Sequence, residues 1–218
     1  MLFRSDPSIK AVLFDFDGTF ADTAPDLIHS ANFIFNQHNK EILSFTEGRQ
    51  IASDGIKAFL DKRFDNSIDD YEQLTKEFIN YYYNHLQDNF KLFDGIDSLI
   101  DSLDKNNIAW GIVTNKSRML TDKLLNLYHL NTRCHVVVCG DDGFKPKPEP
   151  DTLLFAIKSL NVAKEQTIYI GDGLRDIIAA KKANIKSILV TYGYLKVDDQ
   201  YSDWGADYII EHPSQITT

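Results

Sequence analysis

Short, nearly continuous apolar runs alternate with amphipathic segments along much of the chain. The apolar runs lie at Lys10–Phe14, Ile108–Val113, Cys134–Val138, Thr167–Ile170, Ser187–Thr191 and Asp207–Ile210. Between them, apolar residues recur at intervals of three and four, as in Ile96, Leu99, Ile100 and Leu103, or Leu153, Leu154, Ile157 and Leu160. Strands that are apolar on both faces and alternate with helices are typical of a doubly wound parallel sheet. The pattern therefore predicts an α/β fold.

A long interval between the first and second apolar runs lacks a convincing strand. Helical spacing occurs there in three stretches, around Leu27–Phe35, Ile51–Leu60 and Tyr71–His85. Thr23 is the expected N-cap of the first stretch, Pro25 lies in its first turn, and Gly55 interrupts the second. We therefore predict an all-helical cap, residues 21–91, inserted into a core of residues 1–20 and 92–218. Its stems are expected near Phe20–Asp22 and Leu92–Gly95.

Composition narrows the class of protein. The 218 residues are 43% apolar and 25% charged, with a formal net charge of −9. The shares of apolar and charged residues exclude wholesale disorder. The negative net charge disfavours general affinity for nucleic acid or anionic membranes. No run approaches the roughly 18 apolar residues of a membrane helix, and the N-terminal MLFRSDPSIK lacks the apolar segment of a signal peptide. We expect a cytoplasmic protein in which the two cysteines, Cys134 and Cys139, are free thiols.

Polar, chemically capable residues follow four of the predicted strands. The segments are Asp15-Phe16-Asp17-Gly18-Thr19, Thr114-Asn115-Lys116, the loop reaching Lys145-Pro146, and Gly171-Asp172-Gly173-Leu174-Arg175-Asp176. Ligands of parallel sheets bind beyond the carboxyl ends of the strands, so these residues are expected to converge there. The Asp-Asp-Gly of residues 141–143 is interpreted as a turn.

The converging residue types favour metal-assisted phosphoryl chemistry. Several carboxylates packed together repel one another unless a cation compensates, and hard oxygen ligands favour Mg²⁺. A lysine and a threonine hydroxyl suit the remaining phosphate oxygens. One carboxylate can attack phosphorus, and a second carboxylate two residues further on can transfer protons. Gly18 allows the backbone to turn sharply beside the phosphate.

These segments together resemble the four motifs of the haloacid dehalogenase-like phosphatases. The stretch Phe20–Leu27 continues the first motif in the manner of the phosphoglycolate phosphatase-like branch. The resemblance covers essentially the whole chain and implies a Rossmann-like core, a helical cap and Mg²⁺.

The resemblance also implies a role for each motif residue. Asp15 would be the nucleophile and Asp17 the general acid and base. Thr114 and Lys145 would hold the phosphoryl group, with Gly18 and Asn115 beside it. The metal would be held by Asp15, the backbone carbonyl of Asp17, and Asp172, with Asp176 in support.

Three other strings are similar to the N-acetylmuramic acid 6-phosphate phosphatases of bacterial cell-wall recycling. They are Ala109–Lys116, Tyr192-Gly193-Tyr194 and Trp204–Pro213. Apart from Thr114 and Asn115, the strings are expected outside the predicted site, and Trp110 and Trp204 are expected to pack in the core. They therefore indicate kinship more than substrate.

Substrate choice is expected to reside in the cap, near the interruption at Gly55. Arg49, Ser53 and Lys57 flank it, and the resemblance places a substrate-facing loop there. Arg49 and Lys57 are candidates to meet a substrate carboxylate, with a solvated helix face as an equal alternative. Asp54 departs from the Ser-Gly-Gly expected of the lactyl-sugar subgroup.

The predicted function is Mg²⁺-dependent hydrolysis of a small carboxylate-bearing phosphate ester through an aspartyl-phosphate. Phosphoglycolate and N-acetylmuramic acid 6-phosphate are the candidate substrates. A monomer or homodimer without nucleic-acid or membrane partners is expected. One alternative is a broad sugar-phosphate phosphatase or phosphomutase of the same family. An alternative of another class is a phospho-accepting receiver domain, which also carries Asp, Thr and Lys after parallel strands.

Overall fold

A six-stranded parallel sheet forms the centre of the fold. The computed structural model describes residues 8–65 and 70–216. The strands of the chain are β1 (Ala11–Phe14), β2 (Ala21–Asp22), β3 (Lys91–Leu92), β4 (Ala109–Val113), β5 (Val136–Val138), β6 (Thr167–Gly171), β7 (Lys186–Val190) and β8 (Tyr208–Ile210). In the large sheet their order is β5-β4-β1-β6-β7-β8, and every neighbouring pair is parallel. The α/β fold with a doubly wound parallel sheet is confirmed.

Helices cover both faces of this sheet. They are α1 (Ala24–Gln37), α2 (Phe45–Arg49), α3 (Ile56–Leu60), α4 (Tyr71–His85), α5 (Ile96–Lys105), α6 (Arg118–Leu127), α7 (Asp151–Leu160) and α8 (Leu174–Ala183). The apolar sides of α5 and α6 pack in one cluster with Val12 and Phe14 of β1, whereas α7 and α8 pack with Leu13 in another. Alternate residues of β1 therefore point to opposite faces, and both faces are buried, which explains the nearly continuous apolar runs.

Between β1 and β4 lies a segment that we call the insertion, residues 24–85, which is largely helical where it is described, at 24–65 and 70–85. β2 and β3 pair antiparallel at its two ends, where the sequence predicts the stems. α1 and α4 pack along each other, and Gly55, at a φ of 82°, separates the short α3 from a preceding 3₁₀ turn, Ala52–Asp54. The helical character of the segment agrees with the sequence pattern, while its division from the core as a separate domain stays a prediction.

The sequence also makes a prediction about the N-terminus and one about membrane-spanning helices. The first seven residues of MLFRSDPSIK, the segment in which no signal peptide is expected, lie outside the described residues. Within residues 8–65 and 70–216, no helix combines the length and apolar character needed to cross a lipid bilayer.

Candidate active site

Asp15 stands at the carboxyl end of the central strand β1. Its backbone N–H still donates to Ile170 of β6 at 2.8 Å, so the sheet fixes its position. The side chain is buried, and its Oδ1 accepts a hydrogen bond from the N–H of Phe16 at 2.7 Å. β1 lies between β4 and β6 in the sheet, and the loops that follow these two strands therefore meet around this carboxylate. The topology provides the convergence that the sequence predicts.

The lysine that meets Asp15 is Lys147, not Lys145. Its Nζ lies 2.8 Å from Asp15 Oδ1 and 2.6 Å from Asp176 Oδ1, and it donates to the hydroxyl of Tyr169 at 2.6 Å. Burial disfavours the ammonium, but the two carboxylates outweigh it and raise the pKa of Lys147. Lys145 is exposed. Lys147, and not Lys145, therefore has the place beside Asp15 that the sequence assigned to Lys145, while the binding of phosphate by a lysine stays a prediction.

This difference in register has a definite cause in the sequence. Lys145-Pro146-Lys147-Pro148-Glu149-Pro150 contains the spacing Lys-Pro-x-Pro twice, once from each lysine. The pattern alone does not distinguish the two registers. In the structure Asn115 holds Lys147. The Asn115 side chain donates to the Lys147 carbonyl at 2.9 Å and accepts from the Lys147 N–H at 3.0 Å. Asn115, expected to bind phosphate or substrate, thus also positions the lysine.

Three buried carboxylates form a group suited to a cation. One oxygen each of Asp15, Asp172 and Asp176 lies within 4.8 Å of the others. Burial, reinforced by Asp15 and Asp176, raises the pKa of Asp172 to about 8. Burial likewise raises the pKa of Asp15 to about 6, with Lys147 opposing. These shifts express a local excess of negative charge that a bound cation would relieve.

A further observation supports a metal at this group. Asp172 Oδ1 is buried and has no hydrogen-bond partner among the described residues. The other oxygen, Oδ2, accepts from the Ser53 hydroxyl at 3.0 Å and from the Tyr194 N–H at 2.8 Å. An all-oxygen donor set with one unsatisfied carboxylate oxygen fits Mg²⁺. The group contains Asp176, which was expected in a supporting role, and does not contain the Asp17 carboxylate.

The Asp17 carboxylate is held by the core and by the insertion together. It accepts a hydrogen bond from the Thr23 hydroxyl at 2.5 Å, so Thr23 serves Asp17 and does not cap α1 with its side chain. Lys116 Nζ lies 3.0 Å from Asp17 Oδ1 and donates to the hydroxyl of Tyr82, on α4, at 3.0 Å. Burial opposes the charge on Lys116, but Asp17 and then Tyr82 raise its pKa. Asp17 is thereby fixed near Asp15 and is oriented toward the cavity described below.

Thr114 completes the set of predicted phosphate-binding residues. It follows β4 directly, and its backbone N–H donates to Val138 of β5 at 2.9 Å. Its buried hydroxyl oxygen accepts from the N–H of Lys116 at 3.2 Å, which leaves the hydroxyl proton for another acceptor. The side chain lies on the wall of the same cavity as Asp15.

Gly18 and the segment Tyr192–Tyr194 pack against the Asp172 carboxylate. A Cβ at Gly18 would lie 2.1 Å from Asp172 Oδ2, and the residue has a φ of 84°, so only glycine fits without displacement. Gly193 is equally close, since its Cβ would lie 2.3 Å from the Gly18 carbonyl oxygen. The expectation that Tyr192-Gly193-Tyr194 lies outside the site is wrong for Tyr194, whose N–H binds Asp172. Trp110, in contrast, is buried in the core as expected.

A cavity of about 470 Å³ opens between these loops and the insertion. Its wall includes Asp15, Asp17, Thr114, Asn115, Lys116 and Lys147 from the core, and Ser53, Asp54, Ile56, Thr75, Ile79 and Tyr82 from the insertion. A volume of this size accommodates a small organic ligand. The structure therefore places Ser53 at the cavity, as the sequence predicts.

Arg49 and Lys57 do not reach the cavity. Arg49 Nη1 pairs with Asp22 at 2.9 Å, and its guanidinium lies over the ring of Tyr194. Lys57 is exposed and pairs with Asp61 at 2.8 Å. The structure therefore pairs both residues with carboxylates outside the cavity wall, which does not support a contact with the substrate and, for Lys57, agrees with the alternative of a solvated helix face.

Sequence reasoning missed Lys116 and Tyr82 as site residues. Lys116 directly follows Thr114-Asn115, so its place at the end of a predicted strand was an available signal. Tyr82 lies on a helix with several aromatic residues, and no local pattern separates it from core packing. Its contact with Lys116 is a property of the tertiary structure.

The chain is similar to known proteins over most of its length. Residues 12–190 match the family model described as haloacid dehalogenase-like hydrolase. An N-acetylmuramic acid 6-phosphate phosphatase of Pseudomonas aeruginosa is 35% identical over 210 residues, covering 95% of this chain and 93% of that protein. A phosphoglycolate phosphatase of Xanthomonas campestris pv. campestris is 35% identical over 208 residues, covering 95% of this chain and 94% of the relative.

The fold agrees with a solved relative as well. A haloacid dehalogenase-like family hydrolase from Streptococcus pneumoniae superposes with a TM-score of 0.85 at 20% identity, covering 96% of this chain and 97% of the other. The family match spans most of the chain, and the identity to the two phosphatases extends over nearly all of it. The chain therefore belongs to the haloacid dehalogenase-like hydrolase family.

Proposed function

We propose that the chain is a Mg²⁺-dependent phosphomonoesterase that acts on a small carboxylate-bearing phosphate ester through an aspartyl-phosphate on Asp15. The observation that carries this proposal is the position of Asp15 in the cavity wall, where it pairs with Lys147 and lies close to the buried carboxylates Asp172 and Asp176. Similarity to two relatives named as phosphatases supports the reaction class. Their names also support phosphoglycolate and N-acetylmuramic acid 6-phosphate as the candidate substrates.

The receiver-domain alternative has no support in these findings. Receiver domains lack an insertion between the first and second core strands, and the family model that matches this chain is that of the haloacid dehalogenase-like hydrolases. A broad sugar-phosphate phosphatase or phosphomutase of the same family remains an outcome of the substrate test below.

The first half of the reaction uses Asp15 and Asp17. A carboxylate oxygen of Asp15 attacks phosphorus, the bond from phosphorus to the ester oxygen breaks, and Asp17 donates its proton to the departing oxygen. Lys147 lies against Asp15 and supplies positive charge where the phosphoryl oxygens gather. The Thr114 hydroxyl donates to one of those oxygens.

The second half returns the enzyme to its starting state. The Asp17 carboxylate takes a proton from water, the water oxygen attacks phosphorus, and inorganic phosphate leaves as the Asp15 carboxylate is released. Lys116 and Thr23 hold the Asp17 side chain in place through both proton transfers. Residues of the insertion form one wall of this cavity, and closure of that wall over the substrate would limit the access of bulk water.

The metal would be held by carboxylate oxygens of Asp15 and Asp172, with the Asp17 backbone carbonyl as a third ligand and Asp176 in support. When bound, Mg²⁺ supplies positive charge that offsets the phosphate and the buried carboxylates. The unsatisfied Asp172 Oδ1 is the donor atom that supports this arrangement most directly.

A variant of the proposed nucleophile tests the mechanism. Asp15→Asn should lose essentially all release of phosphate from p-nitrophenyl phosphate in the presence of Mg²⁺, while Asp97→Asn, at an exposed carboxylate of α5, should retain it. EDTA should abolish turnover by the parent protein and added Mg²⁺ should restore it. Equal rates for Asp15→Asn and the parent would exclude the mechanism.

A substrate panel tests the specificity. Phosphoglycolate or N-acetylmuramic acid 6-phosphate should have the highest kcat/KM, compared with hexose phosphates and other small esters. A hexose phosphate without a carboxylate that is preferred tenfold would favour the broader sugar-phosphate alternative. A cytoplasmic location and a monomeric or homodimeric state are further parts of the proposal, to be measured by fractionation and by light scattering.

A further inference from the structure

The cavity wall contains an ion pair between the core and the insertion. Arg175 lies in the first turn of α8, three residues after Asp172. Its Nη2 donates to Oδ1 of Asp54, which ends the 3₁₀ turn before Gly55. Both side chains line the catalytic cavity, so this pair borders the space in which a substrate would lie.

Arg175 differs from the other cations of the cavity wall. Among the described residues these are Lys116 and Lys147, whose side chains are only 5% and 1% exposed. Both are bound to catalytic carboxylates and are therefore committed to the reaction centre. Arg175 is 31% exposed, and its partner Asp54 is 30% exposed. Arg175 is thus the cavity cation that a ligand from solution can approach.

Asp54 has a second cation available. Its Oδ2 lies 2.9 Å from Nζ of Lys196, whose side chain is half exposed. If another carboxylate took the place of Asp54 on Arg175, Asp54 would keep Lys196 as a partner. Ion pairs with this degree of exposure contribute little to stability, so the exchange would cost little. Asp54 therefore behaves as a replaceable counterion.

The guanidinium also has unused hydrogen-bonding capacity. Among the described residues, Arg175 forms its hydrogen bond through Nη2 alone. Nε and Nη1 carry further N–H groups, and the planar fork matches the two oxygens of a carboxylate. A ligand that places its phosphate at Asp15 and extends through the same cavity would present its second anionic group to this fork.

We propose that Arg175 binds the carboxylate of the substrate and that Asp54 holds the guanidinium when no substrate is bound. This inference rests on the proposed function and assigns the specificity for a carboxylate to the core helix α8. It replaces Arg49 and Lys57, which the structure directs away from the cavity.

The test compares two esters that differ only in the carboxylate. The esters are phosphoglycolate and its neutral amide, 2-amino-2-oxoethyl phosphate. Initial rates are measured for each ester with the parent, with Arg175→Gln and with Lys57→Met. The parent and Lys57→Met should prefer the acid. Arg175→Gln should lose that preference by about tenfold or more, through KM, while its kcat/KM for the amide stays close to that of the parent. Arg175→Lys, which keeps the charge without the fork, should lie between them.

Two kinetic outcomes for Arg175→Gln would overturn the assignment. An unchanged preference in Arg175→Gln would mean that the carboxylate binds elsewhere. An equal loss for acid and amide would mean that Arg175 only fastens the insertion to the core. Asp54→Asn separates these effects, because it breaks the ion pair without removing the guanidinium. It should keep or strengthen the preference for the acid, and a loss of preference would contradict the proposal.

A binding measurement separates this inference from the proposed function. Calorimetry with the Asp15→Asn variant should show tighter binding of phosphoglycolate than of the amide, and adding Arg175→Gln should remove the difference. If the parent hydrolysed neither ester but this difference were found, the proposed reaction would fail and the carboxylate site would stand. If hydrolysis occurred but the difference were absent, Arg175 would not be the carboxylate site.

Discussion

Lys145 and Lys147 provide a sharp test of the active site because they are two residues apart in one proline-rich loop. The perturbation is the change of each lysine, separately, to methionine, which keeps an unbranched apolar side chain and removes the ammonium. Lys147 is buried between Asp15 and Asp176, whereas Lys145 is exposed. The same chemical change therefore acts in two opposite environments.

The structure sets the size of the two effects. Removing Lys147 leaves two buried carboxylates without their shared cation, and breaking a buried ion pair in this way costs about 3–5 kcal/mol of the free energy of unfolding. The loss corresponds to a fall in Tm of roughly 6–20 °C for a protein of this size. The loss of a group that holds the phosphoryl oxygens costs about 10²–10³ in kcat. Lys145→Met should change the stability by less than about 0.5 kcal/mol.

The assay measures initial rates with p-nitrophenyl phosphate and Mg²⁺, together with Tm by calorimetry. Lys145→Met should match the parent in both measurements, and Lys147→Met should be impaired in both. Loss of activity in Lys145→Met with retention in Lys147→Met would refute the assignment. If Lys147→Met did not fold, an active Lys145→Met would still exclude Lys145 from the reaction.

Two further predictions follow from the packing and the charge of the site. Gly18→Ala should lose most of its activity and be strongly destabilised, because the new Cβ would lie 2.1 Å from Asp172 Oδ2. The control Gly143→Ala has a similar φ of 85° but nothing within 4 Å of the new Cβ, so it should show only the backbone strain of about 1 kcal/mol. Equal losses in the two variants would contradict the steric reason. Burial and neighbouring carboxylates raise the pKa of Asp172 to about 8, so the metal-free fold keeps a proton there that the unfolded chain loses above about pH 4. The free energy of unfolding in EDTA, measured by denaturant titration, should therefore fall from about pH 5 to about pH 8, and Asp172→Asn should reduce this slope; a parent profile that is flat in this range would contradict it.

The core of the fold could be predicted because its signals are local. β1, β4 and β6 are buried on both faces, so each one is an uninterrupted apolar run, and the polar residues that follow them mark one edge of the sheet. Parallel topology then brings together residues as distant in sequence as Asp15 and Asp172. No knowledge of side-chain packing is needed for this step.

The remaining features depend on the direction in which a side chain points. Lys145 and Lys147 have the same residue type and the same following proline, and only burial separates them. Arg49 and Lys57 lie on either side of the break at Gly55, and each pairs with a carboxylate outside the cavity wall, Asp22 or Asp61. Such orientations are properties of the packed insertion, which the residue spacing leaves open.

The contacts between insertion and core show why the two parts of the site depend on each other. Ser53 reaches Asp172 and Tyr82 reaches Lys116, so the insertion touches one loop that would hold the metal and another whose lysine pairs with the Asp17 carboxylate. Ser53 uses Oδ2 of Asp172, while the oxygen without a partner is Oδ1. A cation on Oδ1 and the hydrogen bond from Ser53 can therefore coexist on one carboxylate. The cation would offset the negative charge of the three clustered carboxylates, Asp15, Asp172 and Asp176. It would thereby remove the repulsion that otherwise opposes the arrival of an anionic ester in the cavity, and an acidic protein could bind an anion there.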